Sequence, residues 1–147
     1  MRRLSGIAGT VALVMAPLTS GCATGNVGTV RKAVAPDTVK VTGVSPDPAD
    51  RLHPGQTVVF RVNVVSTLSS ADLGHVSLVI QDNRGRNLKH GAPQSRMGVG
   101  RGTEMLELHD EGVISLDARW VTVFVALFPD GATKSSAVGT VRFAVVR

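Results

Sequence analysis

Apolar and polar residues alternate in several short runs over the second two thirds of the chain. In "QTVVFRVNVV", Val58, Phe60, Val62 and Val64 fall on one face, and mostly polar residues fall on the other. A period of two with many β-branched residues is typical of a strand that buries one face. The same alternation recurs in five further runs: "DTVKVTGV", "HVSLVIQ", "TEMLELH", "WVTVFVALF" and "TVRFAVV". These runs predict six or seven strands over residues 37–147.

The segments between the runs contain turn-forming residues, and none has the helical period. "SPDPAD", "HPGQ", "DNRGRN" and "PDGAT" supply the Pro, Asp, Asn and Gly that turns favour. "MGVGRG" predicts a loop or a bulged edge, because Thr103 breaks the G-x-G-x-x-G spacing and no helix follows. "HDEG" predicts a solvated turn. The fold class expected is therefore all-β, a single antiparallel immunoglobulin-like β-sandwich of six or seven strands.

The strand rhythm, with "PGQTVVFRVNV" early and "VTVFVALFPDG" late, resembles immunoglobulin-like and fibronectin type III-like modules of bacterial envelope proteins. The resemblance covers Pro36 to Arg147. This chain departs from antibody domains, since it has no Cys pair, no Tyr for a tyrosine corner, and its one Trp begins a late strand. The resemblance implies a fold and carries over no functional residue.

The segment 1–21 predicts a secretory signal peptide. "MRR" supplies a positive start, and "LSGIAGTVALVMAPL" supplies the apolar stretch that follows it. A membrane-spanning helix needs about 20 apolar residues, so this stretch is short, and Pro17 interrupts its end. The alternative is an uncleaved N-terminal anchor.

"LTSGC" resembles the lipobox of bacterial lipoproteins, in which small residues precede a lipidated Cys. Ser20 and Gly21 match the small positions, whereas Thr19 stands where the family usually has Leu. The resemblance implies a diacylglycerol on Cys22 and an acyl chain on its amine. Such an anchor suits the physics, because stable membrane attachment takes more than one chain. The alternative is a secreted protein with a free thiol at Cys22.

This interpretation divides the chain into a signal peptide (1–21), a flexible tether (22–36) and a sandwich (37–147). A short first strand at "GTVRKAV" is the alternative to a wholly flexible tether. In Gram-negative lipoproteins, Asp after the lipidated Cys often retains the protein at the inner membrane. Ala23 stands there instead, so the resemblance implies delivery to the outer membrane if the source is Gram-negative.

Charge and composition argue against nucleic-acid binding. The chain has 16 Lys and Arg against 11 Asp and Glu, and removal of Arg2 and Arg3 leaves 14 against 11, a net charge of +3. One Trp, four Phe and no Tyr offer few surfaces for base stacking. The partners expected are the membrane, through Cys22, and either a protein or an anionic envelope polymer.

No catalytic residue, metal site or cofactor is predicted. The four histidines form no H-x-H, H-x-x-H or H-E-x-x-H motif, and no Ser stands in a G-x-S-x-G context. His90, Met97, Met105 and His109 have the side chains that copper prefers, yet strand and turn positions explain them more simply. The chain is therefore expected not to be an enzyme.

Five basic residues crowd a stretch that has no Asp or Glu, from Asn83 to Thr103. If the stretch is one loop, it is a candidate site for phosphates or carboxylates. The alternative is a solvated loop balanced by acids elsewhere in the fold. The candidate anion-binding residues are Arg84, Arg86, Lys89, Arg96 and Arg101.

The late strand "WVTVFVALF" provides a second candidate. If Val121, Val123, Val125 and Leu127 point inward, three aromatic residues share the outer face: Trp120, Phe124 and Phe128. Exposed apolar patches mark interfaces, so we expect a protein–protein patch unless a loop covers these residues or the parity is reversed. The function expected is a lipid-anchored, non-catalytic envelope module. The alternative is a small-ligand-binding or enzyme-inhibitor lipoprotein that uses its loops.

Overall fold

A computed structural model of the chain describes residues 33–88 and 95–147, which form five β-strands and no helix. The predicted all-β class is therefore confirmed. The predicted signal peptide, Cys22, most of the tether and Lys89 lie outside the described residues. The strands are β1 (Thr38–Ser45), β2 (Thr57–Asp82), β3 (Arg96–Val113), β4 (Trp120–Pro129) and β5 (Ala137–Ala144).

Two runs that predict separate strands, "QTVVFRVNVV" and "HVSLVIQ", are the two halves of β2, which is 26 residues long. The strand bends between them. Leu68 lies opposite Gly102 of β3 and Leu73 lies opposite Gly100, so residues 69–72 face Arg101 alone. Extra residues on one strand turn the chain while the ladder continues on both sides. The described part of the chain consequently has five strands where six or seven were predicted.

The bend in β2 is held by two charged side chains. The Asp37 carboxylate accepts hydrogen bonds from the backbone N–H groups of Ser69 and Ser70, at 2.7 and 3.0 Å, and from the Ser70 hydroxyl at 2.6 Å. From the other side, Arg101 donates to the Ser69 carbonyl at 3.1 Å and to Asp72 at 2.9 Å. These bonds satisfy backbone groups that the bulge removes from the ladder.

All strand pairs are antiparallel, in the order β1-β2-β4-β5, with β3 also beside β2. Because β2 and β3 both cross the bend, the sheet curls into two parts. Half-sheet A contains β1 with residues 57–68 and 103–113. Half-sheet B contains residues 73–82 and 96–100 with β4 and β5. β1 also lies close to β4 and β5, so the two parts face each other.

The segment "HDEG" is not a turn, and that prediction was wrong. His109 to Gly112 lie within β3 and pair with residues 58–61 of β2. Asp110 lies on the buried face, and its carboxylate accepts a hydrogen bond from the N–H of Glu111 at 2.8 Å. "MGVGRG" belongs to the same strand and lies at the edge of the sheet beside the bend of β2.

The core lies between the two half-sheets and is built from the alternate apolar residues of each strand. Phe60 from half-sheet A and Phe143 from half-sheet B are both fully buried and meet edge to face, with ring centroids 5.2 Å apart. An aromatic pair of this kind adds about 0.5–1.5 kcal/mol to the burial of its area. Leu52 closes one end, since its N–H donates to the Ala144 carbonyl at 3.0 Å.

At Gly74 the backbone of β4 lies close against β2. A Cβ atom built there would lie 2.6 Å from the Phe128 backbone oxygen and 3.2 Å from the Leu68 side chain. We therefore expect Gly74→Ala to lower the free energy of unfolding by about 1–3 kcal/mol, because the strand must shift to admit the methyl group.

Gly98→Ala is the matched control, since a Cβ atom at Gly98 meets nothing within 4 Å. Its expected change is within about 0.5 kcal/mol. Urea unfolding of both variants measures the difference, and equal stabilities would contradict the close approach described.

Candidate functional site

The outer face of half-sheet B carries the aromatic residues of β4. Val121, Val123, Val125 and Leu127 are fully buried, so the alternate residues of the strand point away from the core. Trp120 is 36% exposed, and Phe124 and Phe128 are half-buried. The structure thus places the three aromatic side chains in one outward row.

Neighbouring strands orient each of these aromatic side chains, because residues directly opposite on paired strands share a face. The Phe128 ring stacks on His75, with centroids 5.1 Å apart and an interplanar angle of 10°. Arg142 of β5 holds its guanidinium 5.2 Å from the centre of the Trp120 ring. Phe124 lies between Val79 and Thr140. The row is therefore ordered before any partner binds.

We call this surface outer face B: alternate residues 73–81 of β2, 96–100 of β3, 120–128 of β4 and 138–144 of β5. Leu73 and Val138 extend its apolar area, at 63% and 50% exposure. The small residues Ser77 and Ala126 lie side by side near its centre. Ser77 is 2% exposed and Ala126 is half-buried, so the face is closed to solvent at Ser77.

Outer face B contains no Asp or Glu, although it carries Arg96 and Arg142. The outer face of half-sheet A is different, since it mixes both signs. There Arg61 lies 3.8 Å from Glu107, with Lys40 and Glu111 on the same face. The two outward faces of the fold therefore differ in both polarity and charge.

Three of the basic residues predicted to bind anions are paired with carboxylates. Arg84 lies 2.7 Å from Asp117, and Arg86 contacts both Asp117 and Asp82, the latter at 2.7 Å. Arg101 is the third, and it lies 2.9 Å from Asp72 at the bend of β2. Each of these guanidinium groups therefore already forms an ion pair with a carboxylate of the same chain.

The predicted basic residues also do not gather in one place. Arg101 pairs with Asp72 at the bend, and Arg96 stands apart on the edge of half-sheet B. The length of residues 73–82, about 30 Å, separates Arg101 from the pair Arg84 and Arg86. The structure therefore does not form one anion-binding loop from the described members of this set.

The Asp82 carboxylate is fully buried and organises this end of half-sheet B. It accepts hydrogen bonds from the N–H groups of Arg84 and Arg86 at 2.9 and 3.0 Å, and from the Ser115 hydroxyl at 3.0 Å. Burial alone would raise the pKa of Asp82, but these bonds and the Arg86 guanidinium together hold that pKa below its usual value. Sequence reasoning placed Asp82 only at a turn; its bonds to Arg84 and Arg86 are local, whereas its burial and its bond from Ser115 arise only in the fold.

The described residues considered as copper ligands, Met97, Met105 and His109, do not come together in the fold. Met97 lies in half-sheet B, whereas Met105 and His109 lie in half-sheet A; His90 lies outside the described residues. Across residues 33–88 and 95–147, no three His, Cys, Asp or Glu side chains are grouped closely enough to hold a metal ion.

A shallow depression of about 420 Å³ on half-sheet A is lined by Thr42, Asn63, Val64, Met105, Leu106 and Glu107.

In the described part of the chain, no helix has the length and apolar character needed to cross a membrane. No family model and no curated protein matches the sequence. The case for function therefore comes from the surface of the fold.

The buried Asp82 leads to a test of stability. We expect Asp82→Asn to lower the free energy of unfolding by about 3 kcal/mol at pH 7, because Arg86 and two backbone N–H groups lose a charged acceptor. Asp72→Asn is the control: the Asp72 side chain is 89% exposed, and its loss is expected to cost less than about 1 kcal/mol. Urea unfolding measures both.

The stability difference between wild type and Asp82→Asn should also depend on pH. Because the folded pKa of Asp82 lies below the unfolded value of about 3.9, its stabilisation is fully present above that value and is lost as the pH falls through the folded pKa. The gap between wild type and Asp82→Asn should therefore persist from pH 7 to pH 5 and narrow below pH 4. A gap that widens in acid would contradict this assignment.

Proposed function

We propose that the chain is a lipid-anchored, non-catalytic module of the cell envelope that acts by protein–protein contact through outer face B. The observation that carries the proposal is an ordered apolar row, Trp120, Phe124 and Phe128, on a sheet face without carboxylates. Aromatic residues and Arg are enriched at protein interfaces, whereas Asp and Glu are depleted.

The size of outer face B indicates a transient contact. Four strands about 4.8 Å apart and a length of about 27 Å along β4 give roughly 500 Å². A stable interface buries about 800 Å² on each partner. We infer that outer face B binds weakly by itself. An anchor that confines module and partner to one membrane raises their effective concentration, which compensates for weak contact.

The finer description of the fold proposed is an immunoglobulin-like sandwich. Its support is the antiparallel pairing, the two half-sheets that face each other, and the Phe60–Phe143 contact between them. One feature distinguishes the chain from a sandwich of two separate sheets, since β2 and β3 run through both half-sheets.

The anchor proposed is a lipidated Cys22. Its support is the sequence "LTSGC" after a short apolar stretch. With Ala23 as the next residue, we place the protein at the outer membrane if the cell is Gram-negative.

The anchor is tested by Cys22→Ala. The wild-type chain extracted from membranes should start at Cys22 and carry the added mass of its acyl chains, and the variant should lack that mass because the acceptor thiol is gone. Intact-mass spectrometry of both proteins provides the measurement. An unmodified wild-type chain released into solution would refute the anchor.

The interaction surface is tested by site-specific photo-crosslinking in intact cells. A photoreactive residue replaces Val138 on outer face B, or Met105 on half-sheet A, which is 83% exposed and serves as the control. We expect a discrete adduct with another protein from position 138 and none from position 105, because Met105 stands among charged side chains of both signs, whereas Val138 lies on the carboxylate-free face with the aromatic row. Adducts of equal yield from both positions would contradict the proposal.

A further inference from the structure

We propose that outer face B receives an acidic segment of its partner, whose carboxylates bind Arg142 and Arg96 and whose apolar side chains pack on Phe124 and Val79. The inference rests on the proposed function and specifies the chemistry of the partner.

The charges of outer face B are unpaired on their own side. Among the described residues, neither Arg142 nor Arg96 has a carboxylate within 4 Å, and the face itself contains none. Arg84, Arg86 and Arg101 pair closely with carboxylates, whereas Arg51 and Arg119 also lack one within 4 Å in the described part of the chain. Arg96 and Arg142 are the two arginines that lie on the face with the aromatic row. A carboxylate of a partner forms an ion pair with each of these two guanidinium groups, and the face has no carboxylate of its own to repel it.

Arg142 is also positioned in advance. Its guanidinium lies 5.2 Å from the centre of the Trp120 ring, and this cation–π contact restricts the side chain. A planar guanidinium held in this way binds a carboxylate through two parallel hydrogen bonds with less loss of rotamer freedom.

The distance between the two arginines sets the length of the partner segment. Arg142 of β5 is aligned, through Thr122 of β4, with Gln81 of β2, whereas Arg96 of β3 is aligned with Ser77 of β2. The two arginines are thus three strands apart across the sheet and four residues apart along it, about 20 Å on the diagonal. An extended chain covers that distance in about six residues. The partner segment therefore carries two acidic residues six positions apart, with apolar residues between them.

A protein partner fits this face better than an anionic membrane does. Phe124, Ala126 and Phe128 are half-buried within the sheet, so little apolar surface protrudes to enter hydrocarbon. Two cations give only a weak attraction to an anionic lipid surface. A strand-like segment that lies flat on the face contacts Phe124, Val79 and both cations.

The test uses Trp120, the one tryptophan of the chain, as a fluorescent reporter. The full chain is reconstituted in phosphatidylcholine vesicles and titrated with the capped peptide ESLSLSE or with KSLSLSK. We expect a saturable change in Trp120 emission with the acidic peptide and affinity at least about tenfold weaker for the basic peptide. Equal affinity for the two peptides, or no binding of the acidic one, would overturn the inference.

Charge reversal locates the contact. Arg96→Glu leaves Arg142 on Trp120 and should weaken binding of ESLSLSE about tenfold, since one carboxylate loses its partner and meets a like charge. Arg61→Glu, on the outer face of half-sheet A, makes the same change in net charge and should have little effect. Equal losses in the two variants would show a nonspecific effect of charge and overturn the site.

Two further arms separate this inference from the proposed function. A blue shift of Trp120 when phosphatidylglycerol is added to the vesicles, without peptide, would assign the face to the membrane. If the adduct at position 138 forms in cells and Arg96→Glu leaves its yield unchanged, the interaction surface stands and the acidic partner is wrong. If no adduct forms, the interaction surface itself fails.

Discussion

The passage of one strand, β2, through both half-sheets is the constraint on which the rest of the fold depends. Residues 57–68 and 73–82 belong to that strand and both pair with β3, so the bend fixes how the two half-sheets lie against each other. This fixed relation brings Phe60 onto Phe143 and closes the core between the half-sheets. It also determines which face of β4 is left outside. The aromatic row faces outward because burial of the opposite parity is required to fill the core.

Alternation in the sequence predicted the strands and their buried parity well, since a period of two is a local property of the chain. The continuity of β2 was not predictable in this way. The polar segment "STLSSADLG" has the composition of a turn, and it stays in the strand because Asp37 and Arg101, far from it in sequence on either side, satisfy its backbone. "HDEG" misled for a similar reason, since its polarity is local and its pairing with β2 is not. The basic residues show the same limit, because Asp117 approaches Arg84 and Arg86 only after folding.

The two outer faces of the fold show how a small module divides its surface. The face of half-sheet A mixes opposite charges with the exposed apolar side chains of Val59, Met105 and Val113. Outer face B carries the aromatic row beside two cations, and its outward positions include no carboxylate. Its area of roughly 500 Å² is smaller than the area of about 800 Å² that a stable interface buries on each partner.

Asp37 gives the module a mechanical property. Its carboxylate ties the chain just before β1 to the bend of β2 through three hydrogen bonds. Burial alone would raise the pKa of Asp37, but hydrogen bonds from Ser136, Ser70 and Ser69 hold that pKa well below its ordinary value. A pulling force on the preceding segment reaches Asp37 first and is passed to the Ser69 and Ser70 backbone, and from there through Arg101 to β3. The load passes to β2, which pairs with three other strands, and to β3 before β1 peels from its edge, so the chain resists tension applied to residues 33–36.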